Sequence, residues 1–319
     1  MVQLGSGLGG VGLSQIDPLV ALAGLLVGFV VGLTGMGGGA LMTPILVIIF
    51  RVHPLAAIGS DLVASLFMKP VGGFVHWRQR TVEKSIVKWL LIGSVPAAFA
   101  GVFVIRLFGA GDALQTHVQL LLGAALLVAC VGIVAKSYLG ARRRALDQSN
   151  DGGPVTSRPG LTILVGAVVG LIVGMTSVGS GSLMIVLLMV VYPTLTSRRL
   201  VGTDLVQAVP LVGAAALGHV LVGDFTLGLT LSILVGSIPG VYVGSRLSAS
   251  APDMVVRPIL VFVLAASAMK LLGFSNTELL IGLIVLALTL PPAWLLIDAQ
   301  TRARPRIVPA PVSGHDRVA

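Results

Sequence analysis

Three ionisable residues, Asp61, Lys69 and Asp204, stand inside long apolar runs of the chain. In hydrocarbon such a residue costs about 2.5 to 3.5 kcal/mol on the insertion scale, so each needs a polar partner, a cavity or a task. Asp61 and Asp204 sit in matching contexts, Gly59-Ser60-Asp61-Leu62-Val63 and Gly202-Thr203-Asp204-Leu205-Val206. His76 and His219 follow them by 15 residues, about four helical turns, and so fall on roughly the same helix face. Carboxylates and imidazoles so placed could carry a proton or gate access; the alternative is that the aspartates cap helices and the histidines are interfacial. Lys69, two turns beyond Asp61, offers either a full positive charge to a bound anion or an internal salt bridge to Asp61.

Two Gly/Ser-rich segments carry the second kind of chemistry. Thr34-Gly35-Met36-Gly37-Gly38-Gly39 and Thr176-Ser177-Val178-Gly179-Ser180-Gly181-Ser182 each interrupt an apolar helical run and precede a short one. Bare N–H groups and the positive end of a helix dipole at such a break form an anion site, and glycine lets the ligand approach the backbone. The hydroxyls of Thr34, Thr176, Ser177, Ser180 and Ser182 add donors, and Gln207 is a further polar residue for the same cavity. Glycines at such positions also serve close helix packing, a role that fits Gly24, Gly28 and Gly32 better.

The elements that must hold these groups are membrane helices. Of the 319 residues 55% are hydrophobic and 10% charged, with a mean hydropathy of +1.02. Soluble domains carry about 25% charge, which places this chain among integral membrane proteins. Apolar stretches of crossing length run over 55–77, 86–108, 117–139, 200–222, 225–247, 256–272 and 279–297. Regions 18–50 and 161–192 are interrupted, at 35–39 and 177–182, and read as re-entrant hairpins whose second arms reach half-way across. With that reading, 17 of the 21 basic residues fall in cytoplasmic segments, the N-terminus lies outside and the C-terminus inside. The net charge of +9 therefore orients the protein in the membrane, and its clustering between spans argues against nucleic acid. The single cysteine, Cys130, excludes an intramolecular disulfide and a thiolate metal cluster; no metal and no cofactor is expected. Residues 1–16 lack a basic n-region and do not read as a cleavable signal.

The chain is duplicated. A shift of 142 residues aligns 24–42 with 166–184 at ten identities in 19 positions, and a shift of 143 superposes the two Gly-Ser/Thr-Asp segments, His76 on His219 and Gly93-Ser94-Val95-Pro96 on Gly236-Ser237-Ile238-Pro239. Each copy holds a hairpin and three crossings, an odd number, so the second must be inverted, as in secondary transporters with a midplane site. The expected fold is an all-α polytopic membrane protein of two inverted-topology repeats with an extra C-terminal transmembrane helix. Its parts are an extracytoplasmic segment (1–17), a first repeat (18–139), a cytoplasmic linker (140–159), a second repeat (160–273), the extra helix (274–298) and a disordered cytoplasmic tail (299–319).

These segments resemble the TauE/SafE sulfite exporter family. The match rests on Gly35 to Gly39 followed by Pro44, on Gly59 to Leu62, and on their echoes at 177–182 and 202–205, and it covers about 18–273. The resemblance implies transport of small sulfur-containing anions (sulfite, sulfoacetate, thiosulfate or another organosulfonate) across a bacterial inner membrane. The second copy departs from the triple glycine at Ser180. The function expected is a proton-coupled secondary transporter working by alternating access, and not an enzyme. An anion channel shares the same site physics. A lipid-phosphate hydrolase would need Glu or Arg groups near the hairpins that the spans do not supply.

Overall fold

The computed structural model describes residues 16–34, 38–78, 81–147, 156–247 and 253–302. Among these the chain is all-helical, and a multi-pass membrane protein. Its helices are α1 (Pro18–Thr34), α2 (Gly39–Ile48), α3 (Pro54–Arg78), α4 (Lys84–Val104, continued by a 3₁₀ turn Ile105–Phe108), α5 (Gly111–Asp147), α6 (Pro159–Thr176), α7 (Leu183–Val191), α8 (Ser197–Leu221), α9 (Leu227–Leu247), α10 (Asp253–Leu271) and α11 (Asn276–Arg302). Among the described residues five stretches are long and apolar enough to cross a membrane: Lys84–Phe108, Gly111–Leu139, Pro159–Thr176, Arg199–Leu221 and Leu227–Leu247. Four are crossings expected from the sequence. The fifth, α6, is the first arm of the second interrupted region; it has no breaker before Thr176, and its 18 residues extend about 27 Å. The helix α5 runs on to Asp147, into the segment read as linker, because Ala141-Arg142-Arg143-Arg144-Ala145-Leu146 are good helix formers.

Local chemistry sets the helix ends. Asp17 caps α1, its Oδ1 accepting from the N–H of Leu19 at 2.8 Å and of Val20 at 3.3 Å. Thr196 caps α8 by accepting from the N–H of Arg199. The end of α6 is sharper. Ser177 takes a left-handed conformation (φ 61°), and Gly179 and Gly181 follow at φ 116° and 132°, values open to glycine and strained for other residues.

Helices pair across the two copies. In sequence order α1, α2, α3, α4 and α5 correspond to α6, α7, α8, α9 and α10, yet α1 packs along α9 and α6 along α4. Both pairs run parallel, with Gly24, Gly28 and Gly32 meeting Ile233, Ser237 and Val241, and Gly166, Gly170 and Gly174 meeting Leu90, Ser94 and Ala98. The backbones nearly touch: a Cβ on Gly28 would stand 2.5 Å from the carbonyl oxygen of Ser237, and one on Gly170 2.4 Å from that of Ser94. The small-residue stripe is thus a packing surface, which lets dispersion act between backbones where lipid offers no hydrophobic drive. Along the centre α3 and α8 pair antiparallel, residue 59 beside 219 and 224, residue 66 beside 213. So do α5 and α10, where the Cys130 thiol meets the carbonyl of Val261 and Arg257 donates to Ser137.

Adding a methyl group at these contacts should force the helices apart. Gly28→Ala and Gly170→Ala should each lower stability by about 1 to 3 kcal/mol, seen as a lower melting temperature by fluorescence size-exclusion. Gly160→Ala, whose Cβ would meet nothing within 4 Å, should leave it unchanged.

Candidate functional site

The two interrupted regions meet at their tips. The start of α2 lies against the end of α6 so closely that a Cβ on Gly39 would stand 2.1 Å from the Ser177 carbonyl oxygen. Between them is a cavity of about 20 Å³, lined on its polar side by Thr34, Ser177, Ser180 and Ser182, and on its apolar side by residues including Ile133, Leu260 and Leu264. That space holds about one water. The site positions expected in the first tip are otherwise split: Gly38 and Gly39 are buried, while Gly35, Met36 and Gly37 lie outside the described residues.

Asp61 ties three elements together. It is 2% exposed on α3, and its Oδ2 accepts from Thr43 of α2 at 3.2 Å and from Ser177 after α6 at 2.5 Å. The Ser177 contact depends on the left-handed turn that ends α6, which turns this side chain away from its own helix and toward α3. Its counterpart Asp204 is equally buried but differently served. Gln207, one turn on in α8, donates from Nε2 to Asp204 Oδ1 at 3.1 Å and accepts from Ser94 of α4 at 3.4 Å. Gln207 replaces Ala64 of the first copy and acts as a relay between Asp204 and α4 rather than as a lining group of the cavity.

Lys69 crosses from α3 to the second tip and donates from Nζ to Ser180 Oγ. The alternative of a salt bridge to Asp61 is not formed; among the described residues no carboxylate lies within 4 Å of this ammonium. Its nearest charges, Asp61 and Asp204, interact with it over longer range. Ser180 stands where the first copy has Gly38, so the departure from the triple glycine supplies the hydroxyl that Lys69 holds. The backbone N–H groups of Ser180, Gly181 and Ser182 have no protein acceptor among the described residues. A cation bonded to a neutral hydroxyl, beside unpaired donors, gives the tip a positive potential in a low-dielectric setting. Thr176 turns its hydroxyl back to the Ile172 carbonyl at 2.6 Å, as Thr34 does to Val30 at 2.8 Å, so both threonines chiefly finish their helices.

Asp61 and His219 do not form a bonded pair. His219 is fully buried, its Nε2 2.9 Å from the carbonyl of Gly174 and its Nδ1 3.3 Å from Asp224. Asp224 in turn receives Arg106 at 2.9 Å on both carboxylate oxygens. A matching ion pair, Arg199 with Glu83, joins the other ends of α8 and α4, and there the N–H of Glu83 donates to Thr203 at 3.0 Å. Thr203 therefore serves the chain before α4. The side chain of His76 lies outside the described residues. Arg106 and Asp224 were missed by sequence reasoning because they sit just beyond the ends of α4 and α8, 118 residues apart, with no shared motif to mark them.

Over residues 20–271 the chain matches the family described as Sulfite exporter TauE/SafE. It is 36% identical over 254 residues to "Probable membrane transporter protein YjnA" of Bacillus subtilis (strain 168), an alignment covering 79% of this chain and 98% of that protein. It is 24% identical to "Probable membrane transporter protein YdhB" of the same organism, over 80% of this chain and 99% of that protein. No solved structure matches the chain.

Removing both hydroxyls from Asp61 isolates a buried carboxyl group. The pair Thr43→Val and Ser177→Ala should destabilise the protein by about 2 to 4 kcal/mol in total, about 1 to 2 for each bond, measured by thermal unfolding in detergent. Adding Asp61→Leu to that pair should recover part of the loss, since the apolar side chain no longer requires partners.

Proposed function

The chain belongs to the TauE/SafE sulfite exporter family of membrane transporters, and from that membership and the geometry of the tips we propose that it is a proton-coupled carrier of a small sulfur-containing anion. Candidate substrates are sulfite, sulfoacetate, thiosulfate or another organosulfonate. The observation that carries the reading is Lys69, a membrane-embedded ammonium whose bonded partner is a neutral serine, at a tip whose N–H donors at 180–182 have no acceptor among the described residues. An anion entering between Lys69, Ser177, Ser180 and the N–H groups of 180–182 supplies the missing negative charge. Thr34, Thr176, Ser182 and the first tip's glycines, Gly35 to Gly39 with Met36, complete the surround in this reading.

The reading takes the two copies as inverted repeats with re-entrant hairpins. Helix directions support it: α3 opposes α8, α5 opposes α10, while α4 follows α8 and α6 follows α4. In this reading the Lys and Arg distribution sets the orientation, N-terminus outside and C-terminus inside an inner membrane. The cavity holds about one water, less than any candidate anion, so the tips must part for transport. That need for movement favours a carrier over an open channel.

Proton coupling is assigned to Asp61 and Asp204, the two carboxyl groups within reach of Lys69's field. Each can hold a proton while the anion occupies the site, so that charge is balanced in the membrane interior. His219 and His76 are given a gating part at opposite ends, His219 through Asp224.

Purified protein in liposomes should accumulate sulfite or a sulfonate down an imposed proton gradient, with saturation. Lys69→Met keeps the length of the side chain without its charge and should reduce this uptake at least tenfold; undiminished uptake would remove Lys69 from the site. In Asp61→Asn and Asp204→Asn, exchange of anion for anion should persist while the response to a proton gradient is lost.

A further inference from the structure

From the distribution of bonds between helices we infer that the parts which move in transport are not the two repeats but two blocks with exchanged members. The inference rests on the carrier reading above. One block is α1, α2, α3 and α9; the other is α4, α6, α7 and α8. The pair α5 and α10 flanks both.

Within each block the contacts resist separation. The glycine stripes put α1 on α9, and α6 on α4, at backbone-to-backbone distance. In the second block, charge-assisted bonds close both ends of α4 on α8: Glu83 with Arg199 at one, Arg106 with Asp224 at the other. Since α4 and α8 run parallel, these clamps leave neither end free to open. Ser94 to Gln207, at 3.4 Å, adds a bond along their length, and His219 to the Gly174 carbonyl, at 2.9 Å, attaches α6. Tyr192 closes the hairpin of α6 and α7 by bonding Thr162 at 2.5 Å. The first block has Thr43 on Asp61, and the Ser60 hydroxyl beside Thr226.

Between the blocks the pattern is different. Among the described residues the side-chain hydrogen bonds that cross are Asp61 with Ser177 and Lys69 with Ser180. Both land on the second tip. Elsewhere α3 packs closely along α8, with Leu66 beside Gly213, but among the described residues no side-chain hydrogen bond joins these two helices. Among the glycines described, close approaches to backbone across the blocks are those of Gly39 to the Ser177 carbonyl at the tip and of Gly59 to the Asp224 carbonyl at one end. The hydroxyls that hold the blocks together are therefore those an anion would recruit. Binding exchanges Lys69–Ser180 and Asp61–Ser177 for bonds to substrate, and the same event that fills the site releases the joint.

The test uses the full-length protein with Cys130→Ala. Val102→Cys with Gly218→Cys joins α4 to α8 inside one block, where the Cβ positions are 3.2 Å apart; Leu66→Cys with Gly213→Cys joins the two blocks. Both pairs are linked by a short bis-methanethiosulfonate, and sulfite counterflow is measured in liposomes. The linked 102/218 pair should keep at least half the counterflow of the parent. The linked 66/213 pair should lose at least tenfold and regain it on reduction. If linking 102/218 stops counterflow as completely as linking 66/213, the repeats themselves are the moving parts and the proposal is wrong. Spin labels at the lipid-exposed positions Phe103, Leu217 and Phe67 give a reading that needs no substrate. In lipid nanodiscs the 103/217 distance distribution should be single and narrow, and the 67/217 distribution broad or double; equal widths overturn the blocks. If the unlinked parent carries none of the candidate anions the carrier reading fails, and the spin-label widths still decide the partition.

Discussion

The close approach of backbones along the glycine stripes is the constraint on which the rest of this molecule depends. In lipid there is no hydrophobic gain from bringing two apolar helices together, so association relies on dispersion between surfaces that fit. Glycine at every fourth position of α1 and α6 lets them lie directly on the backbones of α9 and α4. Because each stripe meets a helix of the other copy, the arms are carried across the centre of the protein. Only with the arms exchanged do the two tips come to the same place, and only there do Asp61 and Lys69 of α3 find the serines of the opposite copy.

The tips show how departures from symmetry carry the chemistry. Related segments would, if identical, present two equal glycine turns. Ser180 in place of a glycine gives Lys69 its hydroxyl, and Ser177 in a left-handed turn gives Asp61 its short bond. On the other side Gln207 replaces Ala64 and serves Asp204, where Asp61 has Thr43. One carboxyl group is held by hydroxyls from two other elements, the other by an amide on its own helix. The duplicated frame supplies the positions and single substitutions supply unlike environments.

Much of the frame was legible in the sequence for physical reasons. Apolar runs of fixed length, the glycine breaks and the offsets of the repeat located the helices within a few residues, except α5, which runs on into the segment read as linker, and the small-residue stripe was separable from the tips by its spacing. What escaped was pairing across the copies. The sequence places His219 on the same helix face as Asp204, but nothing local says that a loop carboxylate, Asp224, turns back to it, or that Arg106 arrives 118 residues from Asp224. Lys69 was open between Asp61 and a ligand because both are reachable along one helix; its bond to Ser180 depends on the second tip crossing over.

The exchange of arms also bears on how the protein is made. The helix α1 enters the membrane early, yet its partner α9 lies about 200 residues further along the chain. At ribosomal rates of about 5 to 20 residues per second, α1 waits on the order of ten to forty seconds with its glycine face bare to lipid or to the insertion machinery. The first half cannot mature as it emerges, and the order of synthesis is the reverse of the usual economy in which each hairpin settles before the next appears. The stripe of α6 can seat on α4 as soon as α6 is made, whereas that of α1 waits for α9 and until then needs shielding in the membrane.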